Sequence, residues 1–201
     1  MRIGVLGGTF DPVHLAHLVL GEVAREELRL DRVIFVPAGQ PWRKSGRQIA
    51  PAADRLQMLR LATAGNPAFE VSSLEIEREG PSYTEVTLEA LQGENPTAEL
   101  FFILGGDALS DFPNWHDPRR IAELATLAVA ERDGAADGVA GEADLSGLHV
   151  SLCRLHMPTV AITATAIRQN VREGRSIRYL VPDAVAEYIA EHGLYRAKSQ
   201  A

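Results

Sequence analysis

A four-residue apolar run that stops at a pair of glycines sets the fold of this chain. Ile3-Gly4-Val5-Leu6 breaks at Gly7-Gly8, and from Leu18 onward the apolar residues Leu18, Val19, Ala24 and Leu28 recur with helical spacing. Strand, glycine turn and helix in that order open an α/β unit, and the chain repeats the alternation. Val33-Ile34-Phe35-Val36, ending at Pro37, reads as a buried strand, Ala52 to Ala64 as a helix, and Phe69-Glu70-Val71 as a further strand. Thr84 to Leu91 is helical in pattern, and Leu100-Phe101-Phe102-Ile103-Leu104 is apolar enough to be a central strand covered on both faces. Such alternation feeds parallel strands through helical crossovers. The sequence therefore predicts an α/β fold, doubly wound, with a mostly parallel central sheet.

The second half continues the pattern less clearly. Residues 120 to 130 read as a short helix and the strand Thr126 to Ala130, and Leu148 to Leu152 as the last major strand. Between them, Asp133 to Ser146 is rich in Gly, Ala and acids and reads as a surface connection. Thr163 to Val171 and Pro182 to His192 read as helices, the second opened by Pro182 in its first turn and stopped by Gly193. No repeat or linker divides the chain. One domain over residues 1–195 is expected, with 196–201 a flexible tail.

Charge narrows the partners. Residues 1–100 carry 10 basic and 14 acidic side chains and residues 101–201 carry 10 and 13, so the net charge of -7 is spread evenly. No basic stripe draws the chain to nucleic acid or to an anionic membrane. Cys153 is the single cysteine, which rules out an internal disulfide and is expected to be a buried thiol. The first residues lack the long apolar core of a signal peptide, and no span of 18 apolar residues follows. A cytoplasmic location is the expectation, and homo-oligomerisation is left open.

Chemistry concentrates in Gly7-Gly8-Thr9-Phe10-Asp11-Pro12-Val13-His14-Leu15-Ala16-His17, between the first strand and helix. Glycines let backbone N–H groups approach a phosphate, and a helix start adds partial positive charge. That dipole contributes only about 0.3–1 kcal/mol at a surface, so a polyphosphate also needs side-chain donors. His14 and His17 can supply them, since residues three apart share a helix face. Helix capping, core packing and an ordinary glycine turn are the plainer alternatives. A metal pair is the weakest alternative, because two histidines do not complete a zinc site and no third ligand has suggestive local spacing. The segment is neither the lysine-bearing P-loop nor the standard dinucleotide fingerprint.

Taken with Ile162-Thr163-Ala164-Thr165-Ala166-Ile167-Arg168, this run resembles the two nucleotide-binding signatures of the bacterial nicotinate-nucleotide adenylyltransferases, members of the nucleotidyltransferase superfamily. The resemblance extends through Tyr195 and implies a Rossmann-like nucleotidyltransferase core. It implies transfer of AMP from ATP to nicotinate mononucleotide, giving nicotinate adenine dinucleotide and pyrophosphate in NAD biosynthesis. His14, His17 and Arg168 would be the catalytic residues. Gly7, Gly8, Thr9, Phe10, Thr163, Thr165 and Ile167 would join them in binding ATP. Mg²⁺ would ride mainly on the ATP phosphates, with no metal held by the protein. This chain departs from the pattern: Ala16 stands where the family commonly has glycine, and Thr163 and Ala164 stand in place of its paired serines, while Thr165 and Arg168 retain polar and cationic groups. For Thr163 and Thr165 the plainer role is capping a helix, and for Arg168 an ordinary ion pair.

Three further segments resemble the family's acceptor site. Arg43 and Lys44 follow the second strand and would contact a substrate phosphate, although a solvated loop charge explains them equally well on local sequence. Gly105 and Asp107 follow the most apolar strand. Asp107 suits ribose hydroxyls, and Trp115, beside His116, suits stacking on a pyridine ring; an acidic turn and a hydrophobic anchor are the alternatives. Tyr83 and Thr84 precede a helix, where backbone donors would suit a carboxylate, while Ser82 or Thr84 can equally cap that helix. A related enzyme acting on nicotinamide mononucleotide, phosphopantetheine or another phosphorylated acceptor is the competing reading. A nucleotide-binding regulator without turnover is the third.

Overall fold

The apolar runs of the sequence are continuous because their side chains leave the sheet in both directions, as period-two alternation requires. In the computed structural model, which describes residues 1–40, 49–132, 145 and 147–196, Val33 and Phe35 enter one core, whereas Ile34 and Val36 enter the other. The same split places Phe101 and Ile103 on the first face and Leu100, Phe102 and Leu104 on the second. Fully burying one such side chain contributes about 1.5–3 kcal/mol.

The strands are β1 (Arg2–Gly8), β2 (Arg32–Pro37), β3 (Phe69–Val71), β4 (Glu99–Gly105), β5 (Ala125–Arg132) and β6 (Leu152–Met157). They form one sheet in the order β3-β2-β1-β4-β5-β6, and every pairing is parallel. The helices are α1 (Leu15–Glu27), α2 (Ala52–Thr63), α3 (Leu74–Glu77), α4 (Thr84–Glu94), α5 (Gly106–Asp111), α6 (Pro118–Leu124), α7 (Ala164–Arg172) and α8 (Asp183–Glu191). Residues of α1, α2, α7 and α8 build the first core, and residues of α4, α5 and α6 the second. Strand order reverses between β1 and β4. In open parallel sheets that switch point, at the carboxyl ends of the strands, is where ligands bind. Among the described residues no helix is long and apolar enough to cross a membrane.

Several elements differ from the sequence reading. Leu148 to Leu152 is not a strand: Leu148 N donates to Leu145 O and Val150 N to Leu148 O, so the segment folds into turns while its apolar side chains pack on the second core. Pairing begins only at Leu152, opposite Leu127. An apolar run that packs by turning looks the same in sequence as one that packs by pairing. Cys153 is half-buried, because β6 is an edge strand whose apolar and polar residues alternate. Helix α1 begins at Leu15, a turn earlier than its apolar spacing indicated, and α3 and α5 are too short to carry a period. Most of 133–146 lies outside the described residues, as do 197–201.

Candidate functional site

The glycine turn sits at the carboxyl end of β1 and is shaped from beneath by Phe10. That residue is 2% exposed and adopts φ 48°, and a Cβ placed on Gly8 would meet its ring at 3.1–3.3 Å. The Phe10 ring meets the edge of His17 at 4.9 Å between centroids. His14 then caps α1 in an extended conformation, its backbone N–H donating to His17 Nδ1 at 3.2 Å. This contact fixes the neutral His17 ring with its proton on Nε2. The two imidazoles stack at 3.7 Å with 22° between planes. The three-residue spacing thus does bring them onto one face.

His14 is nearly fully buried, and burial lowers its pKa from 6.5 to about 4. Its Nδ1 has no hydrogen-bond partner among the described residues. An unpartnered buried polar atom costs about 1–3 kcal/mol, while the His14 side chain also faces the backbone N–H of His17 in a capping-box arrangement. The helix start is less open to an anion than a bare glycine turn suggests, since Leu15 N already donates to Leu180 O at 3.1 Å. Side-chain donors therefore matter more here than the helix dipole.

Asp11 ties the distant side chains Arg168 and Tyr195 to the turn. Arg168, on α7, donates from Nη1 to the Asp11 carbonyl at 2.6 Å and stands 3.7 Å from its carboxylate. The contact spans 157 residues and joins the two segments that resemble nucleotide-binding signatures. Thr165 Oγ1 accepts from Arg168 Nη2 at 3.3 Å, and Thr163 caps α7 by accepting from Ala166 N at 3.1 Å. Ile167 is fully buried in the first core and anchors the helix.

Beneath the turn lies Arg55, 2% exposed, which donates to Thr9 O at 2.9 Å, Ala50 O at 3.1 Å and Gly39 O at 3.4 Å. Burial pulls its pKa down, and Asp11, Tyr195 and Glu75 push it back. One guanidinium therefore ties the glycine turn to the segments that follow β2.

On the other side of the switch point, Trp115 packs on Phe102 and Phe112, each at 5.8 Å between centroids, and its buried Nε1 has no partner among the described residues. Phe102 is also the ring nearest Gly7. Hydrophobic anchoring and an unsatisfied polar edge thus coexist in one side chain. His116 stacks on Tyr83 at 4.0 Å and 14°, and its Nδ1 lies 2.5 Å from Oε1 of Glu85, a buried carboxylate whose Oε2 has no partner among the described residues. These contacts join the start of α4 to the segment after α5. Gly105 and Asp107 are exposed at the start of α5. Among the described residues no side chain caps α4; Ser82 Oγ instead accepts from Gly39 N at 2.9 Å and Gln40 N at 3.2 Å. Helix capping is therefore not the role of Ser82 or Thr84. Arg43 and Lys44 lie outside the described residues.

Sequence reasoning passed over Asp11, Arg55, Glu85 and Tyr195. Asp11 lay inside the glycine-turn run, and its place between Phe10 and Pro12 was the available signal. The other three carry no local pattern that separates them from surface residues.

Comparisons with known proteins identify the family. The Cytidylyltransferase-like family model matches residues 5–170. A protein of Thermomicrobium roseum named "Probable nicotinate-nucleotide adenylyltransferase" is 50% identical over 97% of this chain and 92% of its own length. One of the same name from a Roseiflexus species is 50% identical over 96% and 98%. The chain belongs to the nicotinate-nucleotide adenylyltransferase family. It is thus a member of the nucleotidyltransferase superfamily with a Rossmann-like fold. The fold is shared with the solved nicotinic acid mononucleotide adenylyltransferase of Plasmodium falciparum complexed with NaAD, at 17% identity, a TM-score of 0.77 and coverage of 96% and 97%.

Proposed function

We propose that this nucleotidyltransferase moves AMP from ATP to nicotinate mononucleotide, releasing pyrophosphate and forming nicotinate adenine dinucleotide. The observation that carries the reading is the Arg168 contact with Asp11, which joins the α7 cation to the turn holding the stacked imidazoles. High identity to the bacterial relatives supports the choice of acceptor.

In this mechanism the acceptor phosphate attacks the α-phosphorus of ATP directly, and the leaving oxygen departs with pyrophosphate. No protein nucleophile takes part. His14 and His17 contact phosphate oxygens, His14 as a neutral ring because burial holds its pKa near 4, and Arg168 stabilises charge that accumulates on the leaving group. The protein aligns attacking and leaving oxygens. Around the turn the donors are imidazole and guanidinium, which suit phosphate oxygens rather than a hard cation seeking oxygen ligands. No group of three or more His, Cys, Asp or Glu that could hold a metal occurs among the described residues. Mg²⁺ is expected to enter with the nucleotide, bound mainly through its phosphates. Trp115 and the Tyr83–His116 stack face the acceptor ring, and donors near Thr84 take its carboxylate.

The test is incubation with ATP, Mg²⁺ and a panel of nicotinate mononucleotide, nicotinamide mononucleotide and phosphopantetheine, with dinucleotide and pyrophosphate detected together. Equimolar products with the nicotinate acceptor are expected. Faster product formation with another member of the panel would replace the acceptor assignment.

A further inference from the structure

The residues after α8 run back across the first core to the glycine turn. There Tyr195 donates its hydroxyl to Asp11 Oδ1 at 2.8 Å, across 184 residues of sequence. The same oxygen accepts from Ala50 N at 3.1 Å, and the Asp11 carbonyl holds Arg168. Asp11 is 6% exposed and has Arg55 beneath it. Burial and the Asp11 charge push the Tyr195 hydroxyl well above the usual tyrosine range, so it remains a donor at every physiological pH. Arg168 thus depends on a backbone carbonyl whose own residue is clamped by the carboxyl-terminal segment.

We propose that Tyr195 is a positioning residue of the phosphate site: by clamping Asp11 it fixes the carbonyl that aims Arg168, which makes the segment after α8 part of the nucleotide-handling machinery. The inference rests on the reading of Arg168 as a phosphate ligand. The chain offers its own control, because Tyr188 on α8 makes a hydrogen bond of the same length, 2.8 Å, to Asp54 on α2 instead of Asp11. Both rings pack against the first core, so replacement by phenylalanine keeps that packing.

Pyrophosphate and ATP binding should be titrated for the full chain, for Tyr195→Phe and for Tyr188→Phe, with melting temperatures recorded in parallel. Tyr195→Phe is expected to weaken pyrophosphate and ATP binding about threefold to tenfold, the scale of one hydrogen bond. Nicotinate mononucleotide binding should change less than about twofold, and Tyr188→Phe should leave all three affinities within about twofold, both changes being well under one hydrogen bond. In an Arg168→Ala background the Tyr195→Phe effect should vanish, since the two act as a unit. Unchanged ATP and pyrophosphate affinity in Tyr195→Phe, equal losses in the two tyrosine variants, or a Tyr195→Phe effect that persists without Arg168 would each overturn the coupling. Pyrophosphate binding without transfer to nicotinate mononucleotide would sink the acceptor assignment while still measuring the coupling. A wild-type chain that binds no pyrophosphate would overturn both.

Discussion

His14 shows how a single residue couples folding to the chemistry of the site. Its pKa is about 4 in the folded chain and 6.5 as the reference, so between those values the unfolded chain binds a proton that the folded chain refuses. Its contribution is complete above pH 6.5 and is lost as the pH falls toward 4, at a cost of about 3 kcal/mol over the window. Urea unfolding at pH 7 and pH 4.5 should show this loss in wild type and a shallower loss in His14→Gln. Identical slopes would mean that the ring is not buried as described. The histidine pair was legible in sequence because three-residue spacing fixes a shared helix face. The His14–His17 backbone contact and the orphaned Nδ1 were not, since both depend on where the preceding turn leaves the backbone.

At the scale of elements, the segment after β2 approaches α3 backbone to backbone. A Cβ on Gly39 would stand 1.9 Å from the backbone oxygen of Glu75, a clash that side-chain motion cannot relieve. Gly39→Ala is predicted to destabilise the fold by roughly 1–3 kcal/mol, measured by denaturant unfolding; wild-type stability would refute that close approach. This junction also carries Ser82 and buried Glu75. Burial raises the Glu75 pKa, while hydrogen bonds from Thr87 and Ser82 and the charges of Arg78 and Arg55 lower it. The apolar runs of β1, β2 and β4 identified their own strands, because doubly covered strands need no polar face. Residues 148–152 misled for the same reason, as burial alone does not tell a strand from packed turns. Glu85 and His116 illustrate the opposite limit. Each sits in an unremarkable local context, and only the approach of α4 to the segment after α5 pairs them.

Across the whole molecule, the alternation of strands and helices predicted the parallel, doubly wound sheet, and the reversal of order between β1 and β4 places both candidate subsites at one end of it. The meeting of the glycine turn with Arg168 was anticipated from a resemblance between two separated motifs, while the Asp11–Tyr195 clamp had no such guide. Contacts across 157 and 184 residues are products of the complete fold. The decisive measurement is the rate of dinucleotide formation from ATP and nicotinate mononucleotide by wild type, His17→Ala and Arg168→Ala, with folding of each variant checked by thermal melting. Turnover by wild type and a loss of about 10²–10³ in each folded variant, the scale of removing one transition-state donor, is the predicted result. A wild-type rate in either folded variant would contradict a shared phosphate site between the first turn and α7.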